Sequence, residues 1–266
     1  MKTKHLEILA IGSFLQIKRQ LLWICLLFVS FSTFAQKKVM HQQLVWYGYY
    51  NTLKFNENWT LNSEIQERQF INPSAQYQLI FRSNFSRKLI ENWNVSAGMT
   101  LFLQSPQNPE SESHLIVPEL RPDIGFDNKQ KFSVLTISHR YKLEARFFHD
   151  VEHDELIGGY RYSNLRFRYQ LGFDIPIIKS KTKEGLVSVR LKDEVMFNIG
   201  SKIVKNTFDQ NRIYFGVNYK LNPAFSFEVG YMNWFQQRTS GVDYYNRDIL
   251  RFSLFHTITL KKSTNG

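Results

Sequence analysis

Cysteine is nearly missing from this chain of 266 residues; the single one is Cys25. It lies in an apolar stretch that reads as a removable leader, so the mature chain is expected to carry no thiol. That excludes disulfides, thiolate nucleophiles and cysteine-ligated metals. Long apolar runs are equally scarce. The run from Leu21 to Phe34 is fourteen residues, short of the roughly 20 that a helix needs to cross a bilayer, and mean hydropathy is −0.34. A helical membrane protein with several spans is therefore excluded. Glycine-rich phosphate loops, Ala/Leu/Glu/Lys-rich helical stretches, low-complexity segments and linkers are also missing, and no domain boundary is visible.

Lys18 and Arg19 precede the apolar run, and Thr33, Phe34 and Ala35 close it. Together these are the charged region, apolar region and small-residue cleavage site of a secretory signal peptide. Cleavage is expected after Ala35, leaving residues 36–266 as one domain; LWIC lacks the small residues of a lipoprotein signal. The sixteen or so residues ahead of Lys18 are long for such a leader, which points to translation starting downstream of Met1. Removal of residues 1–35 leaves 30 basic and 22 acidic residues, a net +8. In an exported chain that balance suits anionic lipid or an anionic solute better than nucleic acid.

Aromatic residues, 15% of the chain, and charges are present in an ordered way. From Leu135 to Phe147 the odd positions read Leu, Ile, His, Tyr, Leu, Ala, Phe, and the even positions read Thr, Ser, Arg, Lys, Glu, Arg. This is the period of a strand. One face is apolar while the other carries Arg140, Lys142, Glu144 and Arg146, charges that no dry core accepts unpaired. A wet interior on one side and an apolar medium on the other satisfy both faces.

Ten further runs of similar length are expected. Gln43–Phe55 is aromatic on both faces, which leaves its orientation open. Trp59, Leu61 and Ile65 oppose Glu64, Gln66 and Arg68. Tyr77–Leu89 places Tyr77, Leu79, Phe81 and Phe85 outward and Gln78, Arg82, Asn84 and Ser86 inward. Trp93–Leu103 is apolar at every odd position. Leu115–Phe126 carries Glu119, Arg121 and Asp123, with Pro118 and Pro122 weakening its ladder. Asn164–Asp174 sets Arg166 and Arg168 against Phe167 and Tyr169, and Leu186–Ile199 sets Arg190, Lys192 and Glu194 against valines and leucines. Arg212–Leu221, Phe225–Gln236 and Arg247–Leu260 complete the set.

The expected fold is all-β: a single antiparallel up-and-down transmembrane β-barrel of about 10–12 strands in the outer membrane, following a cleaved signal peptide. Connections alternate between short ones after Phe55, Leu89, Phe126, Ile178 and Leu221 and longer ones near 70–76, 104–114, 148–159, 199–210 and 237–245. Trp59, Trp93, Phe132 and Phe225 recur just after the short turns, as an interfacial girdle would, although aromatics also open strands in soluble sheets. Eleven runs are countable where an even number is normal, so either one is miscounted or the first is no ordinary stave.

Several phrases resemble a known family: WTLNSE from Trp59 to Glu64 with Arg68, Glu119 and Arg121, HRYKLEAR from His139 to Arg146, RYSNLRFR from Arg161 to Arg168, Glu194 to Phe197, and Phe208 to Arg212. Together they are similar to the secreted bacterial family catalogued as domain of unknown function 2490. The resemblance implies an outer-membrane barrel with an Arg/Glu-rich interior and implies no activity. The tail departs from many barrels, which end on an aromatic residue; this sequence ends LKKSTNG.

The inward charges are the candidate site: Glu64, Glu119, Glu144, Glu194 and Glu228, with Arg68, Arg82, Arg121, Arg140, Arg146, Arg166, Arg168, Arg190 and Arg212. They either pair across strands and plug a narrow barrel or form a cationic lumen for an anionic solute. His149, Glu152 and His153 match a zinc-hydrolase spacing, but on a loop too short for the helix which that chemistry needs; they are weak metal candidates, and no cofactor is expected. Ser138 and His139 are neighbours that point to opposite faces, and His256 is a lone outward residue. Three functions stay open: a non-enzymatic pore, binding or structural barrel; a lipid-modifying outer-membrane enzyme of phospholipase type; and a soluble anion-binding barrel. Partners expected are outer-membrane lipids, the outer-membrane assembly machinery and a small anionic solute, with no nucleic acid.

Overall fold

The computed structural model describes residues 38–178, 186–200, 203 and 207–260. The expected leader with Cys25, and the connection expected after Ile178, lie outside them. The described residues form eleven strands and no helix: β1 (Val39–Lys54), β2 (Trp59–Phe70), β3 (Ala75–Ile90), β4 (Trp93–Gln104), β5 (Val117–Lys131), β6 (Thr136–Glu152), β7 (Glu155–Ile178), β8 (Leu186–Ile199), β9 (Phe208–Lys220), β10 (Phe225–Gln237) and β11 (Tyr244–Thr259). Each pairs with its sequence neighbours, and β1 meets β11 to close the barrel.

The eleven runs counted in the sequence are all strands, but the plan is not antiparallel throughout. Ten pairs are antiparallel, and the β1–β11 seam is parallel, from Val39 beside Tyr244 to Lys54 beside Thr259. The reason is parity. In an up-and-down chain of odd count the first and last strands run the same way, so closure requires one parallel ladder.

Polarity is inverted relative to a water-soluble domain. On β9, Ile213, Phe215, Val217 and Tyr219 face outward, with Ile213 58% and Phe215 49% exposed. Between them Tyr214 and Asn218 are buried inside. On β7, Arg166 and Arg168 are buried while Phe167, Tyr169 and Leu171 lie on the other face. The same alternation orients the ambiguous first run: Leu44 and Trp46 are buried inside, and Tyr47 and Tyr49 are exposed outside.

Three local expectations are corrected and one is met. Tyr77 is buried inside rather than outward, because the ladder slips between Arg68 and Gln69 opposite β3 and the extra residue turns Tyr77 to the same side as Gln78. The connection placed after Phe126 falls at 132–135, since Asp127 and Asn128 still pair with both neighbours. The ladder weakening expected from the two prolines is found at Arg121–Pro122, where the β5–β6 pairing lapses and Pro122 has no N–H to donate. The contrast of short and long connections is weaker than expected: 71–74 is a four-residue turn, and the supposed loop at 148–159 is a hairpin turning at His153 and Asp154, both with positive φ.

Candidate functional site

Period-two alternation delivers the even-numbered charges of β6, β7 and β8 to the barrel interior, and register then decides who meets whom. Glu144 lies opposite Arg166, Glu194 opposite Arg212, Glu64 opposite Arg82 and Asp174 opposite Arg190. From these pairs grows a continuous network. Glu119, 0% exposed, accepts from Arg121 Nε at 2.5 Å and Arg146 Nε at 2.6 Å and also from Gln104. Arg121 reaches Glu144 at 4.0 Å. Glu144 in turn takes Arg168 at 2.5 Å and Arg166 at 3.9 Å, and Arg166 meets Asp209 at 3.1 Å. Arg168 continues to Glu194 at 2.7 Å, which also holds Arg140 at 3.0 Å and has Arg212 at 3.9 Å. Glu64 pairs with Arg82, Asp123 with Lys142 at 2.8 Å, and Glu228 with Arg190 at 2.6 Å. On this wall the pairing and hydrogen bonding offset the cost of taking the charges out of water.

The opposite wall obeys different chemistry. Leu44, Trp46, Phe70, Tyr77, Tyr214, Met232, Trp234 and Ile249 pack together inside the barrel, and cations lie on their rings. Arg68 sits 3.7 Å from the Trp46 ring and bonds Gln66 and Gln78. Arg247, 0% exposed, stacks on Tyr245 at 4.2 Å and Trp234 at 4.6 Å and bonds Gln42, Gln236 and Gln107. Arg251 donates to Tyr50 Oη at 2.7 Å and lies 5.0 Å from Tyr214. Among the described residues none of these three has a carboxylate within ion-pair distance. Ring faces and amide oxygens replace it, and they leave the positive charge uncancelled. Tyr214 itself donates to Glu228 at 2.6 Å; its ring lies over Gly216 and Gly230, where a Cβ would come within 2.3 Å of the hydroxyl.

Three of the cavities among the described residues lie between the walls. One of about 450 Å³ is bounded by Gln107, Arg238 and Thr239 from the loops and by Arg68 and Arg212. A second of about 230 Å³ shares Arg68 and Arg212 with the first and adds Trp46, Tyr50, Tyr214 and Arg251. A third of about 430 Å³ begins beyond Glu64, Arg82 and Arg140, which it shares with the second, and reaches Lys54, Glu57 and Asn58 at the opposite rim. Neighbouring cavities therefore share lining side chains.

The sequence model described as Protein of unknown function (DUF2490) matches residues 43–246, which includes the whole charged wall. The chain belongs to this family. No curated protein matches it. Among solved structures it is similar to "NanC porin structure in rhombohedral crystal form", at 13% identity and a TM-score of 0.49, with 81% of this chain and 99% of that chain covered.

In this member of the family the other candidate residues are spread around the barrel. Trp59, Trp93 and Phe225 open β2, β4 and β10 and pack on Phe85, Tyr141 and His256 respectively. Phe132 lies in the turn after β5. His149, Glu152 and His153 fall on the β6–β7 hairpin rather than a loop; His149 packs edge-on against Tyr160, and His153 is largely exposed beside Glu152. Among the described residues no cluster of three potential metal ligands occurs. Ser138 bonds the Gly172 carbonyl on the inner side, while His139 bonds Tyr169, and His256 bonds Tyr49. Arg247, Arg251, Asp209, Trp46, Trp234 and Gln107 belong to the interior and were not singled out. Alternation along β11 would have found the two arginines. Nothing local marks Gln107, which a loop brings in.

Proposed function

We propose that this protein is an outer-membrane barrel that admits small anionic solutes along its interior and performs no catalysis. The observation that carries the reading is the unpaired cationic wall. Arg68, Arg247 and Arg251 are held on rings and amides rather than on carboxylates, so their field acts on whatever enters the lumen. The zipped wall of β5–β8 fills the remaining width, as charged side chains do in barrels of modest strand number. An apolar outer surface at mid-strand and an expected export leader support placement in the outer membrane, surrounded by its lipids and inserted by its assembly machinery. A lipid-modifying enzyme would need a Ser and His together on the outer face, and Ser138 turns inward instead.

The test combines location and current. Fractionation should find the mature chain with the outer membrane. In planar bilayers under a potassium chloride gradient, the reversal potential should report anion over cation permeation. A cation-selective current, or no current in either polarity, would refute the pathway.

A further inference from the structure

We infer that the middle cavity is a binding site for a compact polyvalent oxyanion, one that carries two or more carboxylate or phosphate groups. The inference rests on the anion-admitting reading and adds a defined site and ligand class to it. Arg68, Arg212 and Arg251 enter this cavity from the aromatic wall, and Arg82, Arg140, Arg168 and Lys192 enter from the charged one. Only Glu64 and Glu194 oppose them in its lining, and Glu144 beyond the lining takes Arg168 at 2.5 Å, so seven cations answer to three carboxylates with a formal excess of four. The pairs account for part of the cationic set: Arg82 is held by Glu64, and Arg140 and Arg168 by Glu194. Arg68, Arg251 and Lys192 have no carboxylate within ion-pair distance among the described residues, and the nearest for Arg212 is 3.9 Å away.

Two further observations point to an acceptor-bearing ligand. Arg212 Nε and Trp46 Nε1 are buried donors with no hydrogen-bond partner, and both residues line this cavity. A buried donor left without an acceptor is costly, and a cationic one more so. The cavity is also larger than a bare anion requires: about 230 Å³ is the volume of roughly eight waters at about 30 Å³ each. Its remaining walls are Gln66 and Gln170 together with Trp46, Tyr50, Tyr214, Met232 and Phe255, and the last five suit the carbon skeleton that joins two or more anionic groups. One anionic group can satisfy one or two of the free cations; a second group reaches those across the cavity, so affinity should climb with charge.

The experiment is titration calorimetry on the purified full chain, folded in zwitterionic detergent at low chloride, with citrate, inorganic phosphate and acetate as probes. Citrate and phosphate should saturate one site, with acetate weaker by at least about tenfold. Arg251→Gln and Lys192→Gln should each weaken citrate by roughly tenfold, while Arg238→Gln, in the first cavity, leaves it unchanged. Lys192→Gln serves if Arg251→Gln fails to fold, because Arg251 also anchors Tyr50, whereas Lys192 takes part in no ion pair among the described residues. Equal affinity for acetate and citrate, no saturable binding, or full citrate affinity in a folded Lys192→Gln variant would overturn the site. An anion-selective current without citrate binding removes the site and leaves the pathway standing; citrate binding without current does the reverse.

Discussion

Glu119 is the most exacting place to test the account of the charged wall. It is 0% exposed and receives two guanidiniums, Arg121 at 2.5 and 2.6 Å and Arg146 at 2.6 and 3.3 Å, as well as Gln104. Glu119→Gln keeps the shape and deletes the charge. Arg121 retains Glu144 at 4.0 Å and the Phe102 ring at 3.7 Å, whereas Arg146 retains only the edge of its network and Phe148 at 4.7 Å. Removing one partner of a buried pair strands the other, at a cost of about 3–5 kcal/mol. Because Arg121 has a fallback, the lower half of that range is expected. Urea unfolding of the refolded barrel, with heat-modifiable gel mobility as the fold check, measures it. Arg146→Gln in the same chain should recover part of the loss, since the stranded charge goes with it, and the two substitutions should be non-additive by roughly 1 kcal/mol or more. A Glu119→Gln variant within about 0.5 kcal/mol of wild type, or strict additivity with Arg146→Gln, would refute the claim that these charges hold one another in the interior.

Other outcomes follow from the same geometry. Phe215→Arg places a charge mid-strand on the outer face and should destabilise the barrel in lipid by roughly 2–4 kcal/mol; a negligible effect would favour the soluble-barrel reading. Gly230→Ala drives a methyl against the Tyr214 hydroxyl and should cost about 1–3 kcal/mol, read as a lowered urea midpoint. Oxidation should cross-link Val45→Cys with Leu250→Cys, which are register partners across the parallel seam, and should not cross-link Val45→Cys with His256→Cys; the opposite pattern would sink the seam. Arg68→Gln combined with Arg251→Gln should move the reversal potential toward that of a non-selective pore, and an unchanged value would show that the aromatic wall does not set selectivity.

Legibility of the site differed between its two walls. Glu144, Arg166, Arg168 and Glu194 were readable as inward because each lies in a long run of clean alternation, where a side chain's face follows from its place in the count. Trp46 was not, since both faces of the first run are aromatic; its burial inside, stacked on Arg68, Arg212 and Arg251, is what orients the run. Tyr77 was misread because a bulge breaks the count within its own strand, and no residue type there announces the slip. The hairpin at His153 was taken for a loop because clustered His, Asp and Glu look solvated, yet a strand that projects beyond the apolar band is solvated too.

The sequence by itself determined that the mature chain reads as eleven strand-length runs, the face that most of them turn to the interior, and most of the inward set of Arg and Glu. These follow from local periodicity and composition, which need no knowledge of neighbours. Only the tertiary structure decided that the first strand closes in parallel on the last, that most interior carboxylates gather on β5–β8 while a cluster of rings lines the opposite wall, and that cations outnumber carboxylates around a central cavity. Those features arise from contacts between residues up to about two hundred positions apart, such as Tyr50 with Arg251. Strand register and barrel closure bring such partners together; alternation along a strand carries no record of them.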